Sequence, residues 1–193
     1  MINGVEVVIA GVSKVSATGE VCLIGLLDRK KNRQLAVLCD ESLFHQVYSR
    51  MSHEDMDWSD CYPEVFASLL KETNRKFEVD IYGMSRGIYQ ASLVDQETGV
   101  SKPVKCSHAI FMALVAEMPI YVDADLMRRM GTPYEVGATK ASLPISVIPE
   151  RLIKKSMDEA IAAEDYELAS ELRDELKRRS ENESHENSDS HEE

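Results

Sequence analysis

Two apolar runs, Val5–Val12 and Glu20–Leu27, flank the turn-rich stretch Ser13–Gly19, which predicts two strands joined as a hairpin, and a third strand follows over Arg33–Cys39. The period then changes. Leu43, Phe44, Val47, Tyr48 and Met51 recur every three to four residues behind Asp40, a residue suited to cap a helix N-terminus. The polar stretch Ser52–Asp60 ends that helix. A second helix is predicted to begin at Pro63 and to bury Val65, Phe66, Leu69 and Leu70, and Lys71–Lys76 closes it.

Strand signals return at Phe77, Val79 and Ile81, then, past a turn at Gly83–Gly87, over Ile88–Asp95, and after a turn at Gln96–Gly99 over Val100–Lys105. Ser107 is positioned as the cap of an apolar helix over Ala109–Ala116, a buried strand is predicted at Ile120–Val122, and Asp123 caps a short helix ending at Gly131. The order hairpin, strand, helix therefore occurs twice, which suggests an internal duplication. Hairpins with interspersed helices make the expected fold α+β, with a mixed sheet.

Beyond residue 148 the composition shifts to Glu, Lys, Arg and Ala, strong helix formers. Leu152, Ile153, Met157, Ala160 and Ile161 mark one apolar face, Tyr166, Ala169, Leu172 and Leu176 a second, with a break at Ala163-Glu164-Asp165, so a helical hairpin is predicted. Asp174 with Arg178 and Glu175 with Arg179 are spaced for ion pairs one turn apart. So small a hairpin must dock on its own domain, on a second copy or on another protein. The predicted organisation is an α+β domain over 1–131, a linker over 132–148, the hairpin over 149–179 and a disordered acidic tail over 180–193.

The 193 residues are 44% hydrophobic and 29% charged, with a net charge of −12, to which the last fourteen residues contribute six acids and neither Lys nor Arg. No apolar run approaches the roughly 20 residues of a membrane-crossing helix, and Met1–Gly4 shows no basic leader, so a soluble cytoplasmic protein is expected. Cys22, Cys39, Cys61 and Cys106 form no CxxC pair and are read as reduced thiols. An acidic chain holds nucleic acid only through a local basic patch. Candidates are Lys30, Lys31 and Arg33, Arg75 and Lys76, Lys102 and Lys105, and Arg128 and Arg129.

The run Met157–Leu176, with EDYELASELRDEL at its centre, resembles the UVR motif of the excision-repair proteins UvrB and UvrC, of Clp-associated proteins and of some bifunctional nucleases. That resemblance implies protein contacts through Tyr166, Leu172, Arg173, Asp174 and Leu176. Residues 1–131 resemble the bifunctional nuclease domain family: Ser107-His108-Ala109-Ile110-Phe111-Met112-Ala113-Leu114 and Pro119-Ile120-Tyr121-Val122 echo its S-D-A-I-x-L-A helix and P-I-Y-V strand, Leu35–Leu38 its L-P-I-x-I-G strand, and Glu64-Val65-Phe66 its T-H-D-L-F segment.

The resemblance implies hydrolysis of DNA or RNA phosphodiester bonds with a divalent metal, Mg²⁺ or Mn²⁺, and places Glu64, as a metal ligand, and His108 at the site. The sequence departs from the family where His108 replaces an Asp and Pro63-Glu64 replaces a His-Asp pair. Imidazole is a poorer ligand than carboxylate for a hard cation and a better acid or base near neutral pH. Two readings follow: a nuclease with a protein-docking hairpin, or a catalytically reduced relative acting as a scaffold. Nucleic acid, a protein partner and a second copy of the chain are the expected partners, and a membrane is not.

Overall fold

The computed structural model describes residues 4–14, 22–30, 32–52, 56–85, 87–134, 150–162 and 164–189. The chain divides into two compact units, one of residues 1–84 and 89–142, the other of 85–88 and 143–193. In the first, β1 (Gly4–Lys14), β2 (Cys22–Asp28) and β3 (Arg33–Cys39) form an antiparallel meander followed by α1 (Glu41–Met51) and α2 (Tyr62–Glu72). Then come β4 (Phe77–Ser85), β5 (Ile88–Asp95), β6 (Ser101–Lys105), α3 (Cys106–Ala116), β7 (Ile120–Asp123), α4 (Ala124–Met130) and the two-residue β8 (Thr132–Pro133).

The strands make one mixed sheet in the order β6-β5-β4-β7-β1-β2-β3-β8. β7 is the join between the two meanders: it runs parallel to β4, Asp80 opposite Tyr121, and antiparallel to β1, Glu6 opposite Tyr121. The α+β class and mixed sheet expected from the sequence are present, and the order of meander then helix recurs on either side of β7. Val7, Ile24, Leu26, Val79, Ile81, Ile120 and Val122 supply the strand side of the core, against Leu43, Val47, Ile110 and Phe111 from the helices. α3 is apolar around most of its circumference, so it takes the central position, touching α1, α2, β3 and β6.

Side-chain caps set the starts of α1 and α4. The Asp40 side chain accepts the Leu43 N–H and that of Asp123 accepts the Leu126 N–H, as the sequence predicts. Ser107 does not cap α3: the cap position falls two residues earlier, at Lys105, and the helix starts at Cys106, which carries the Ser107 hydroxyl inside the first turn and into the interior. Thr132 and Pro133, expected in the linker, instead pair with Gln34 and Arg33, and the Arg33 guanidinium donates to the carbonyls of Arg128 and Gly131. Past Tyr134 the rest of the expected linker, residues 135–148, lies outside the described residues.

One helix is turned the other way from its sequence prediction. In α2 it is Pro63 and Ala67 that are buried, while Val65, Phe66 and Leu69 are 46%, 43% and 54% exposed. α2 packs against α3, and small groups on its inner side permit a close approach there. The bulkier apolar residues are left facing solvent.

In the second unit α5 (Glu150–Ala162) and α6 (Tyr166–Asp189) pack as the predicted hairpin, burying Ile153, Ala160, Ala169 and Leu172. Glu164 adopts a left-handed φ of 59°, and the Asp165 carboxylate caps α6 at the Leu168 N–H. Arg178 pairs with Glu175 at 2.8 Å, three residues back, and not with Asp174, which sits against Arg173. α6 runs on to Asp189, past the expected end at Arg179, through a stretch of Ser, Asn, His and acidic residues with few strong helix formers and no apolar face in its sequence. Residues 190–193 lie outside the described residues.

Candidate functional site

The ends of β3 and β6 bring the starts of α1 and α3 together, and α2 begins beside them. Asp40, at the junction of β3 and α1, uses one carboxylate oxygen to cap α1. Its other oxygen lies 3.4 Å from the Lys105 ammonium and 4.0 Å from His108 Nε2. Asp40 and His108 line a pocket of about 270 Å³, together with Ser42, Gln46, Tyr62 and Phe111, among others.

Ser42, Tyr62 and His108 all belong to first turns, so the pocket meets the positive ends of three helix dipoles, an environment that favours an anion. The Leu43 N–H, more than the nearby Lys105 ammonium, holds the Asp40 carboxyl below its ordinary range, so it is ionised at neutral pH. Half of the His108 side chain is exposed. An exposed imidazole beside a fixed carboxylate and an ammonium is an arrangement for moving a proton next to a bound anion.

Glu64 does not share that cluster. Its Oε1 accepts from Arg50 Nε at 2.7 Å, and the Arg50 guanidinium lies between two rings, 3.9 Å from the Trp58 centroid and 4.9 Å from that of Phe111. Arg50 also donates to the Gln46 carbonyl. The other carboxylate oxygen, Oε2, is buried without a hydrogen-bond partner. Among the described residues no three His, Cys, Asp or Glu side chains group to hold a metal ion. Glu64 occupies the place of an ion-pair partner.

His45 lies 3.7 Å from Glu41 on an exposed face of α1, and His53 lies outside the described residues. Cys22 and Cys39 stand opposite one another across β2 and β3, all four cysteines are free, and burial raises the Cys39 and Cys106 thiols to about 12, far from a reactive thiolate. Of the basic groups, Lys105 reaches the Asp40 pocket, while Arg75 and Lys76 line another of about 330 Å³ at the far end of α2. Sequence reasoning missed Asp40 as a site residue, because capping explained it fully, and took no reading of Tyr62. Arg50 and Trp58 carried no signal at all.

In the hairpin, Tyr166 is 68% exposed, Arg173 and Asp174 face solvent as a pair, Leu176 is half-buried, and Leu172 is buried between the helices.

Fold and pocket together define a mixed-sheet α+β protein with an anion-suited site at converging helix starts and a separate helical hairpin. The bifunctional nuclease domain matches residues 26–135 and the UvrB/uvrC motif matches residues 151–180. The first match spans more than half of the chain, and the chain belongs to the bifunctional nuclease domain family. No curated protein matches it.

Proposed function

We propose that the protein hydrolyses phosphodiester bonds of nucleic acid at the Asp40–Lys105–His108 pocket, and that the α5–α6 hairpin docks a protein partner. The observation that carries the first part is the placement of an exposed imidazole 4.0 Å from an ionised carboxylate, beside an ammonium, where three helices begin. In this reading the scissile phosphate sits against Lys105 and the helix N–H groups, which offset its charge. His108 takes the proton from the attacking water, or from a ribose 2′-hydroxyl, as that oxygen bonds to phosphorus, Asp40 stabilises the imidazolium that results, and the imidazolium gives the proton to the leaving oxygen as its P–O bond breaks. The docking part rests on the UVR match and on Ile161, Tyr166 and Leu168, apolar side chains left exposed on the hairpin.

A second reading, a catalytically reduced relative that serves as a scaffold, is favoured by one specific observation. Glu64, the residue at the family's carboxylate position, is engaged by Arg50. Cleavage of fluorescent single-stranded DNA, duplex DNA and RNA by the full chain in Mg²⁺, Mn²⁺ or EDTA separates the two and tests the metal requirement. Under the nuclease reading His108→Ala lowers the rate by about 100-fold or more and Asp40→Asn by a smaller factor. Cutting that survives His108→Ala unchanged removes the site assignment, and no cutting under any condition leaves the scaffold reading.

A further inference from the structure

A helix of a two-layer fold ordinarily turns its bulky apolar residues inward. α2 does the opposite, and Tyr62 is 75% exposed. Tyr62, Phe66 and Leu70 follow one another at four-residue intervals and form a single ridge along the helix. At one end of the ridge Tyr62 lines the pocket of His108 and Asp40. Leu70, at the other, lines the pocket of about 330 Å³ whose walls include Lys71, Arg75 and Lys76. Phe66 lies between them, 43% exposed. Eight residues of helix separate the ends, about 12 Å along the axis.

The second pocket has an apolar floor from Phe77, Met118 and Pro119 and a basic rim. Arg75 is fixed in place by Asp95 at 3.0 Å, and Lys71 reaches Glu117 at 3.7 Å across the mouth. Exposed aromatic rings on a ridge with ammonium or guanidinium groups at both ends match the alternating π-faces and phosphates of an unpaired nucleic-acid strand. A duplex presents its backbone to such a ridge but keeps its bases stacked within, out of reach of Tyr62 and Phe66.

We propose that the outward face of α2 is a track for a single-stranded segment, with bases stacked on Tyr62 and Phe66 and backbone phosphates at Lys71, Arg75 and Lys76, so that the site selects unpaired over paired nucleic acid. The reading of the Asp40–His108 pocket as the cleavage site supplies one end of the track and is assumed here. Binding is measured separately from cleavage, so the two stand or fall apart.

The test is fluorescence anisotropy of a labelled 12-nucleotide DNA, alone and annealed to its complement, with the full chain in EDTA. The single strand is expected to bind at least tenfold more tightly than the duplex. Phe66→Ser weakens the single strand about fivefold or more and leaves the duplex unchanged. Val65→Ser, exposed on the same helix but off the ridge, changes neither. Lys71→Gln with Lys76→Gln lowers the slope of log affinity against log salt by about 1.4 for the single strand. Equal affinity for both forms, or a Phe66→Ser variant that binds as the parent does, overturns the track. So does a Phe66→Ser variant that changes only the sedimentation of the protein, which would make the face a protein interface. Single-strand binding that depends on Phe66 in a protein without cleavage activity upholds the track and sinks only the nuclease reading.

Discussion

Glu64 is held in the structure as the partner of Arg50, and a double-mutant cycle puts that assignment to a quantitative test. The Arg50 and Glu64 side chains are 9% and 21% exposed, so the pair is largely withdrawn from water. Glu64→Gln keeps the shape and an acceptor but exchanges a charge-assisted hydrogen bond for a neutral one, a loss of about 2 kcal/mol. Arg50→Met keeps an apolar chain between Trp58 and Phe111 while leaving the Glu64 carboxylate unpaired and removing two cation–π contacts, about 3 kcal/mol in all. The double variant loses the pair without stranding a charge, so the single losses exceed the double one by about 1.5 kcal/mol. Urea denaturation of the four proteins in EDTA, followed by circular dichroism, reads this directly. In thermal melts Glu64→Gln lowers Tm by roughly 4–8 °C. A coupling below about 0.5 kcal/mol, or a Glu64→Gln variant as stable as the parent in EDTA but less stable once Mg²⁺ or Mn²⁺ is added, refutes the ion-pair account and restores Glu64 as a metal ligand.

Three further outcomes follow from the packing and charges. Leu69→Gln on the outer side of α2 changes stability by no more than about 0.5 kcal/mol, whereas Ala67→Leu on the inner side costs about 1–3 kcal/mol by overpacking against the core, and denaturant midpoints compare the two. A methyl group at Gly131 would meet the Met127 carbonyl oxygen at 2.5 Å and the Arg33 guanidinium beyond it, so Gly131→Ala costs about 1–3 kcal/mol in the same assay. Burial, aided by Glu78 and Asp123, raises the Asp80 carboxyl above its ordinary value. A carboxyl raised in the folded state takes up its proton more readily than in the unfolded chain, so its ionised form opposes folding above the raised value. Asp80→Asn therefore raises Tm at pH 7, and the advantage shrinks as the pH is lowered toward about 4.

The order of elements was legible in the sequence because it rests on local physics. Asp40 and Asp123 are capping residues wherever they stand, Pro63 suits a first turn, and the 157–176 run has helical spacing and a break at Glu164-Asp165 regardless of what surrounds it. The family resemblance was legible for the same reason, since it resides in short contiguous runs around Ser107 and Pro119.

Only the tertiary structure decided which way those elements turn and what meets across them. Periodicity identified an apolar side of α2, but burial depends on what lies opposite, and the close contact with α3 admitted Pro63 and Ala67 in place of Phe66 and Leu69. Asp40 and His108 are 68 residues apart and Arg50 and Glu64 fourteen, and no local rule links either pair. The insertion of β7 between β4 and β1 sets the frame of the sheet on which α3 packs, and the N-terminus of α3 meets that of α1 beside the end of β3. Local preference specifies an element from its own residues, whereas a site is made of distances between elements, and those are fixed only when the chain closes on its core.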